Sequence, residues 1–439
     1  MSSSPPPSPP RARPRPGASP AGSEKPANAA SSHPLRQLRA SDLRGVARLA
    51  TQATTSISRV AEGVHQSVLG TMGLPGGAQP GQTRGLTGMV YQSIRGVTRL
   101  VDAGLQAGLA RLEPFFAPGA PSTQVQWERE AIVAALNGVM GDRLQQDANP
   151  LCTRMGWYQH GLPLDVRALA ASGGASGKVL VLVHGLCMND LQWCHNGHDH
   201  GAFLAQALGY TPVYLRYNTG QHTSINGAEL SLLLESLVAS WPVAVKELAV
   251  LGHSMGGLVA RSACHHAALP HAGTSAWLPL LRHLVFLGTP HHGAPLERAG
   301  HWIDVLLGST PYSRPFARLA QLRSAGITDL RYGHVLDADW QGRDRFRFTP
   351  DQRTHLPLPS GVACYAAAAA VAARRSSAAE RLVGDGLVPL HSALGIHDDV
   401  NRTLGFTKAR QAVFYRLGHL ALLGDARVAQ QLAQWLNPP

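Results

Sequence analysis

Seven residues near the middle of the chain, Leu251-Gly252-His253-Ser254-Met255-Gly256-Gly257, restrict the fold more than any other stretch. They have the form Gly-x-Ser-x-Gly and stand between a short apolar run, 248–251, and an amphipathic stretch, 255–268. A strand must turn sharply into a helix there. The glycines let helix and strand approach closely, and the turn lifts the serine clear of the sheet. A plain glycine-rich turn is the competing reading, and the apolar strand before it and the helix after it argue against that. Ser254 is therefore the candidate nucleophile.

Around this turn, apolar runs and helical periodicities alternate. The runs 178–183 (KVLVLV), 212–217 (PVYLRY), 248–251, 281–287 (LRHLVFL) and 411–415 are expected to be strands. Unbroken apolar runs of this kind suit parallel strands buried on both faces. Helices are expected over 229–241, 255–268 and 426–436, while the alanine-rich 362–370 suits a strand or a helix. Alternation of this kind predicts an α/β fold, a mainly parallel sheet covered by helices.

The front of the chain has a different character. Residues 1–36 are rich in Ser, Pro, Ala and Arg without apolar periodicity, and are expected to be a disordered tail. Two periodic stretches, 41–69 and 86–109, flank a Gly/Pro/Gln linker, and a third helix is expected over 126–144. The chain thus divides into a tail (1–36), a basic helical region (37–150) and a catalytic domain (151–439). Residues 1–112 hold 13 Lys/Arg against 4 Asp/Glu, a net of +9 out of the +12 of the whole chain. Such a segment suits peripheral contact with anionic lipid or an acidic partner. Two bland readings compete. Of the 39 basic residues 35 are Arg, as a GC-rich coding bias would produce, and apolar helix faces rich in Val and Ala without Trp anchors suit packing onto the catalytic domain. Nucleic acid is not an expected partner.

Five cysteines, Cys152, Cys187, Cys194, Cys264 and Cys364, are odd in number and widely spread, which suits reduced thiols. No 18-residue apolar run exists, and Arg11, Arg13 and Arg15 precede no apolar segment. Neither a membrane-spanning helix nor a cleaved secretory leader is expected. The expected location is the cytoplasm, with peripheral membrane contact as the variant.

Three further segments carry chemistry. Val183-His184-Gly185-Leu186 closes the first buried strand, and the backbone N–H groups of Leu186 and Met255 suit an oxyanion hole, with His184 structural. Gly384-Asp385-Gly386-Leu387-Val388-Pro389 offers an acid, and Arg416-Leu417-Gly418-His419-Leu420 offers a base. Each alone has an ordinary alternative: a turn Asp in Asp-Gly, or one loop histidine of 21. Asp337, Asp339, Asp398 and Asp399 also follow Ser254. The first two come too early in the chain, and the last two suit solvated turn charges, so Asp385 is the expected acid. Cys194, His195, His198 and His200 invite a zinc reading. Without a Cys-x-x-Cys or His-Glu-x-x-His pair a polar loop is the better reading, and no cofactor or metal is expected.

These segments together resemble the α/β-hydrolase superfamily, in particular bacterial lipases and esterases related to the GPI-inositol-deacylase group. The matching pieces are VHGL (183–186), GHSMGGLVAR (252–261), LGTPHHGAP (287–295), DGLVP (385–389) and GH (418–419), and the resemblance spans roughly 155–437. It implies an α/β-hydrolase fold with an N-terminal helical extension, hydrolysis of lipid-like or acyl carboxylic esters, and a triad in the chain order Ser254, Asp385, His419. It also implies a lid within 293–357, where Trp302, Ile303, Val305, Leu306 and Leu307 would suit an acyl chain. An acyltransferase on the same triad, or a non-enzymatic scaffold of the same fold, are the other classes, and a scaffold has no need of all three residues.

Overall fold

A computed structural model describes residues 42, 44–49, 123–270, 275–294, 323–344, 351–373 and 384–437. The expected tail 1–36, the stretch 86–109, most of 41–69 and residues 302–307 lie outside the described residues. Residues 44–49 are helical.

Along the chain come α1 (Thr123–Gln146), β1 (Gly156–Gln159), β2 (Leu162–Pro163), α2 (Val166–Ala171), β3 (Lys178–Val183), β4 (Cys194–His195), β5 (His198–Asp199) and α3 (His200–Leu208). Next are β6 (Thr211–Arg216), α4 (Thr223–Ser240), β7 (Glu247–His253), α5 (Met255–Ala267), β8 (Leu281–Leu287) and α6 (Ala325–Tyr332). The last are β9 (Ala363–Ala370), α7 (Leu390–Ala393), β10 (Gln411–Tyr415) and α8 (Ala426–Leu436). The main sheet has the order β10-β9-β8-β7-β3-β6-β1-β2. The six strands from β10 to β6 run parallel, and β1 and β2 continue the sheet antiparallel. β4 and β5 form a separate hairpin.

The pattern of β3 shows why apolar runs are needed here. Val179, Val181 and Val183 face one core with Leu230 and Leu234 of α4 and Leu258 and Val259 of α5. Leu180 and Leu182 face the other, with Leu204 of α3 and Val428, Leu432 and Trp435 of α8. Burial on both faces leaves no position for a polar residue. The alanine run 363–370 is a strand because it pairs on both sides, with β8 and β10, so sheet context overrides the weak β-preference of alanine.

Two helices depart from expectation. α4 begins at Thr223 rather than near 229, because its first turn is capped from elsewhere: Thr223 N donates to Asp329 Oδ2 at 2.7 Å. Gly227, a poor helix former, is admitted by close packing, since a Cβ there would lie 2.3 Å from Ser262 Oγ. α3 follows directly on the Cys/His-rich stretch, with Asp199 as N-cap accepting from Ala202 N and Gly209 as left-handed C-cap.

α1 packs into the core of the sheet. Ala135 and Val139 join the α4–α5 face of the sheet, and a Cβ on Gly138 would fall 2.2 Å from Cys187 Sγ. The helix kinks at Met140, whose φ/ψ are non-helical. Beside the kink, Asn218 Nδ2 donates to Gly141 O and Ser324 Oγ to Gly138 O; side chains engaging helix carbonyls are a known cause of kinks. An alternating chain of charges ties this end together: Asp42 with Arg129, Arg129 with Glu130, Glu130 with Arg216, and Arg216 with Asp190. Among the described residues no helix is long and apolar enough to cross a membrane.

Candidate active site

β3 lies between β6 and β7, so the chain reverses its direction of progress across the sheet there. In open α/β sheets the carboxyl ends of the strands at such a point bound a crevice. Leu186 follows β3 and Ser254 follows β7, so the two segments singled out from sequence meet at this point.

Ser254 sits in the turn from β7 to α5 with φ 54° and ψ −121°. A non-glycine residue held at such angles stores on the order of 1–3 kcal/mol and persists only where its surroundings over-determine it. Those surroundings are visible. Ser254 N donates to Leu287 O at the end of β8 (2.8 Å), and Gly257 N donates to Ser254 O (3.1 Å). A Cβ on Gly256 would lie 2.1 Å from Val183 O, and one on Gly252 would lie 2.7 Å from Gly257 Cα. Glycine is therefore required on both sides of the serine. The Ser254 hydroxyl is buried and makes no hydrogen bond.

Asp385 and His419 come together at the next strand ends. His419 Nδ1 and Asp385 Oδ2 are 2.7 Å apart, and both side chains are fully buried. The backbone locks the same pair, since His419 N donates to Asp385 O at 3.1 Å. The other carboxylate oxygen, Oδ1, accepts from Leu387 N and Val388 N. Gly384 and Gly386, both at positive φ, make this tight loop. Asp337, Asp339 and Asp399 are occupied elsewhere: Asp337 accepts from Ser224 Oγ, Asp339 from Val335, Leu336 and Thr354 N, and Asp399 from Asn401 N. Asp398 is exposed.

The His419 ring is held against the β8 exit that also anchors Ser254. A Cβ on Gly288 would lie 3.1 Å from His419 Nδ1, and the ring centroid is 4.8 Å from that of His253. His253, between Gly252 and Ser254, is buried and kept neutral: burial and the neighbouring His419 push its pKa well below the usual histidine value. Its Nε2 lies 3.3 Å from His419 O.

Leu186 and Met255, the two residues expected to line an oxyanion hole, are both buried. A Cβ on Gly185 would lie 3.0 Å from Ser254 Cβ, so the loop after β3 packs directly on the serine. His184 is buried, stacked on Tyr217 at 4.5 Å, and held neutral by burial, with a pKa of about 3. Three supports of this loop were not singled out from sequence. Tyr217 Oη donates to His184 O, Cys187 N donates to Thr219 Oγ1, and Cys187 itself sits at φ 59°. Their signal was the polar Tyr217-Asn218-Thr219 directly after an apolar strand. In the Cys/His-rich stretch, His198 Nε2 meets His200 Nδ1 at 2.9 Å, and His200 Nε2 meets Leu422 O at 2.8 Å. Among the described residues no three His, Cys, Asp or Glu side chains are grouped to hold a metal ion.

This mainly parallel sheet covered by helices, with a serine on a strained turn after its central strand and a histidine–aspartate couple at later strand ends, has an architecture of the α/β-hydrolase fold type. Residues 174–354 match the family described as the PGAP1-like alpha/beta domain. No curated protein matches the sequence. Solved structures similar to this chain include Bacillus licheniformis lipase BlEst2 in mature form, at 18% identity over 56% of this chain and 86% of that one, TM-score 0.36. A lipase-esterase related protein from Clostridium acetobutylicum is 13% identical over 60% and 94%, TM-score 0.32. A thermophilic esterase from Thermogutta terrifontis is 14% identical over 60% and 90%, TM-score 0.33.

Proposed function

We propose that this chain is a serine hydrolase that cleaves carboxylic esters, with lipid-like or acyl esters as the substrate class, through an acyl-enzyme on Ser254. The observation that carries the proposal is the strained, buried Ser254 at φ 54° beside the locked His419–Asp385 couple. The 2.7 Å contact gives Nδ1 of His419 its proton and leaves Nε2 as the base. As Ser254 Oγ attacks the ester carbonyl carbon, Nε2 takes the hydroxyl proton, and Asp385 holds the tautomer and stabilises the imidazolium. The amides of Leu186 and Met255 receive the charge on the carbonyl oxygen. The imidazolium then passes its proton to the leaving alkoxide, and the acyl group remains on Ser254. Water, deprotonated by His419, attacks the acyl carbon; the Ser254 Oγ–acyl bond breaks, Oγ takes the proton back from the imidazolium, and the acid leaves. Hydroxyl and imidazole need not be bonded beforehand, because such contacts often tighten only with substrate bound.

The test is a p-nitrophenyl ester series of increasing chain length on the purified protein, beside labelling with a fluorophosphonate. Expected are turnover that prefers acyl chains longer than acetyl, label on Ser254 alone, and loss of both in Ser254→Ala. Equal turnover and labelling of Ser254→Ala removes the proposal. Acyl transfer to an added alcohol without release of free acid would identify a transferase on the same residues.

A further inference from the structure

Residues 194–200, rich in Cys and His, form the β4–β5 hairpin and the first residue of α3. They grip the 3₁₀ turn Leu420–Leu423, whose N-cap is His419. The hairpin closes on Asn196 and Gly197, at φ 51° and 78°, the left-handed pair that a two-residue hairpin turn needs. Asp199 ends the hairpin, accepting from Ala202 N at 3.0 Å and from Tyr214 Oη at 2.8 Å. Those bonds fix where the next residue stands. His200 is completely buried, and Leu204, one turn further along α3, packs in the same apolar cluster as Leu422 and Leu423.

Both ring nitrogens of His200 are engaged, Nδ1 with His198 Nε2 at 2.9 Å and Nε2 with Leu422 O at 2.8 Å. A carbonyl only accepts, so Nε2 carries the ring's proton and Nδ1 accepts from His198 Nε2–H. Burial keeps the ring neutral, with a pKa of about 4, as that arrangement requires. Carbonyls at the end of a helical turn run out of partners within it. Gly424 N and Asp425 N both donate to Ala421 O, and the His200 ring serves Leu422 O. The grip has a second point. A Cβ on Gly424 would lie 2.6 Å from His195 O, so hairpin backbone and turn backbone are in direct contact. From Leu422 it is a short way to the His419 ring. A Cβ on Gly288 would lie 2.9 Å from Leu422 Cδ1 and 3.1 Å from His419 Nδ1, so leucine and imidazole lie against the same point of the β8 exit.

We propose that His200 is a positioning residue for His419: through its bond to Leu422 O, the β4–β5 hairpin and α3 hold the turn that keeps the imidazole aligned with Asp385 and Ser254. The proposal rests on the reading of His419 as the base. His419 then has two holds, the bond from its own N–H to Asp385 O and the His200 ring behind the turn. Losing the second lets the turn slide, so the cost falls on kcat rather than on KM.

The experiment compares His200→Leu, which keeps the bulk and drops the donor, with His200→Gln, whose side-chain N–H takes the place of Nε2–H. Two readouts are taken on the full chain: p-nitrophenyl ester kinetics, and the resonance of His419 Nδ1–H, which its 2.7 Å contact with a carboxylate shifts far downfield. In His200→Leu, kcat should fall by about ten- to a hundred-fold, the scale of a misplacement near 1 Å. KM should stay within about two-fold, and the resonance should broaden or vanish. His200→Gln should restore both. A folded His200→Leu with wild-type kcat and an unaltered resonance overturns the proposal, as does a His200→Gln that performs no better than His200→Leu. If His200→Leu does not fold, ring-proton exchange in the native protein decides. One opening should expose His200 Nε2–H and His419 Nδ1–H at rates within about ten-fold of each other, and a larger difference overturns the proposal. Absence of turnover by the wild-type protein would remove the ester-hydrolase reading, while the His419 resonance would still answer for His200.

Discussion

Two buried carboxylates in this molecule each meet a histidine Nδ1, Asp385 at the candidate active site and Asp329 on α6. Asp385 faces one histidine, His419, and two backbone N–H groups of its own loop. Asp329 faces two histidines, His222 at 3.0 Å and His334 at 3.1 Å, and caps α4 through Thr223 N. His222 is stacked on Trp340, with ring centroids 3.7 Å apart. Burial raises the Asp329 pKa, but the hydrogen bonds from His222 and His334 outweigh it and hold the carboxyl below its usual value. An aspartate–histidine contact is therefore no mark of catalysis. What separates the two is company: His419 lies against Gly288, next to the carbonyl that anchors a strained serine, whereas Asp329 holds two helices and a loop together.

Mutation should divide the pair cleanly. Asp385→Asn is expected to leave the fold intact and lower kcat by roughly 10⁴, because the amide favours the wrong tautomer; circular dichroism and ester turnover measure both sides. Near-wild-type turnover with collapse at another aspartate would move the acid elsewhere. Asp329→Asn should do the reverse, leaving kcat within a few fold while costing on the order of 3 kcal/mol in denaturant unfolding, as when a buried ion pair is broken. A kcat loss as large as that of Asp385→Asn would erase the distinction.

Acid sharpens the contrast more gently. Burial depresses His184 and His292 to about 3 and His200 to about 4, and holds His253 and His291 well below the usual value. For a group whose folded pKa lies below its unfolded one, the unfolded chain binds the proton first. The stability tied to these neutral rings is complete above about pH 6.5 and is lost as pH falls towards the folded values, by about 1.4 kcal/mol per unit per ring at most. Asp329 adds a loss of the same sign below about pH 4. Stability measured from pH 7 to 5 should fall steeply, and a flat profile would show these rings to be solvated. Smallest of all, Asp399→Asn, at an exposed cap, should change turnover little and stability by about 1 kcal/mol or less.

The elements easiest to read in sequence were those whose local pattern agrees with their surroundings. β3, β8, β10 and α8 have the bounds their apolar spacing predicts. The alanines of β9 carry no pattern of their own and take the strand form from two neighbours. The first turn of α4 was hidden because Thr223 and Gly227 rely on Asp329 and Ser262, far away in the chain. The antiparallel β1 and β2 have no apolar run to show them. At the site, Ser254, Asp385 and His419 could be picked out by motif and chain order. What holds them could not, since Leu287 O and Gly288 act through backbone position and Thr219 through a hydroxyl that meets Cys187 N, and all three reach the site only after the sheet has formed.

His419 hangs from β10, which among the described residues is the edge of the main sheet and pairs only with β9. Ser254 hangs from β7, which is flanked on both sides. Local opening is easiest where hydrogen bonds are fewest, so hydrogen exchange should reach the amides of β10 well before those of β7. Warming would then unhook the histidine from a molecule still folded at its centre, and heat inactivation would run ahead of melting.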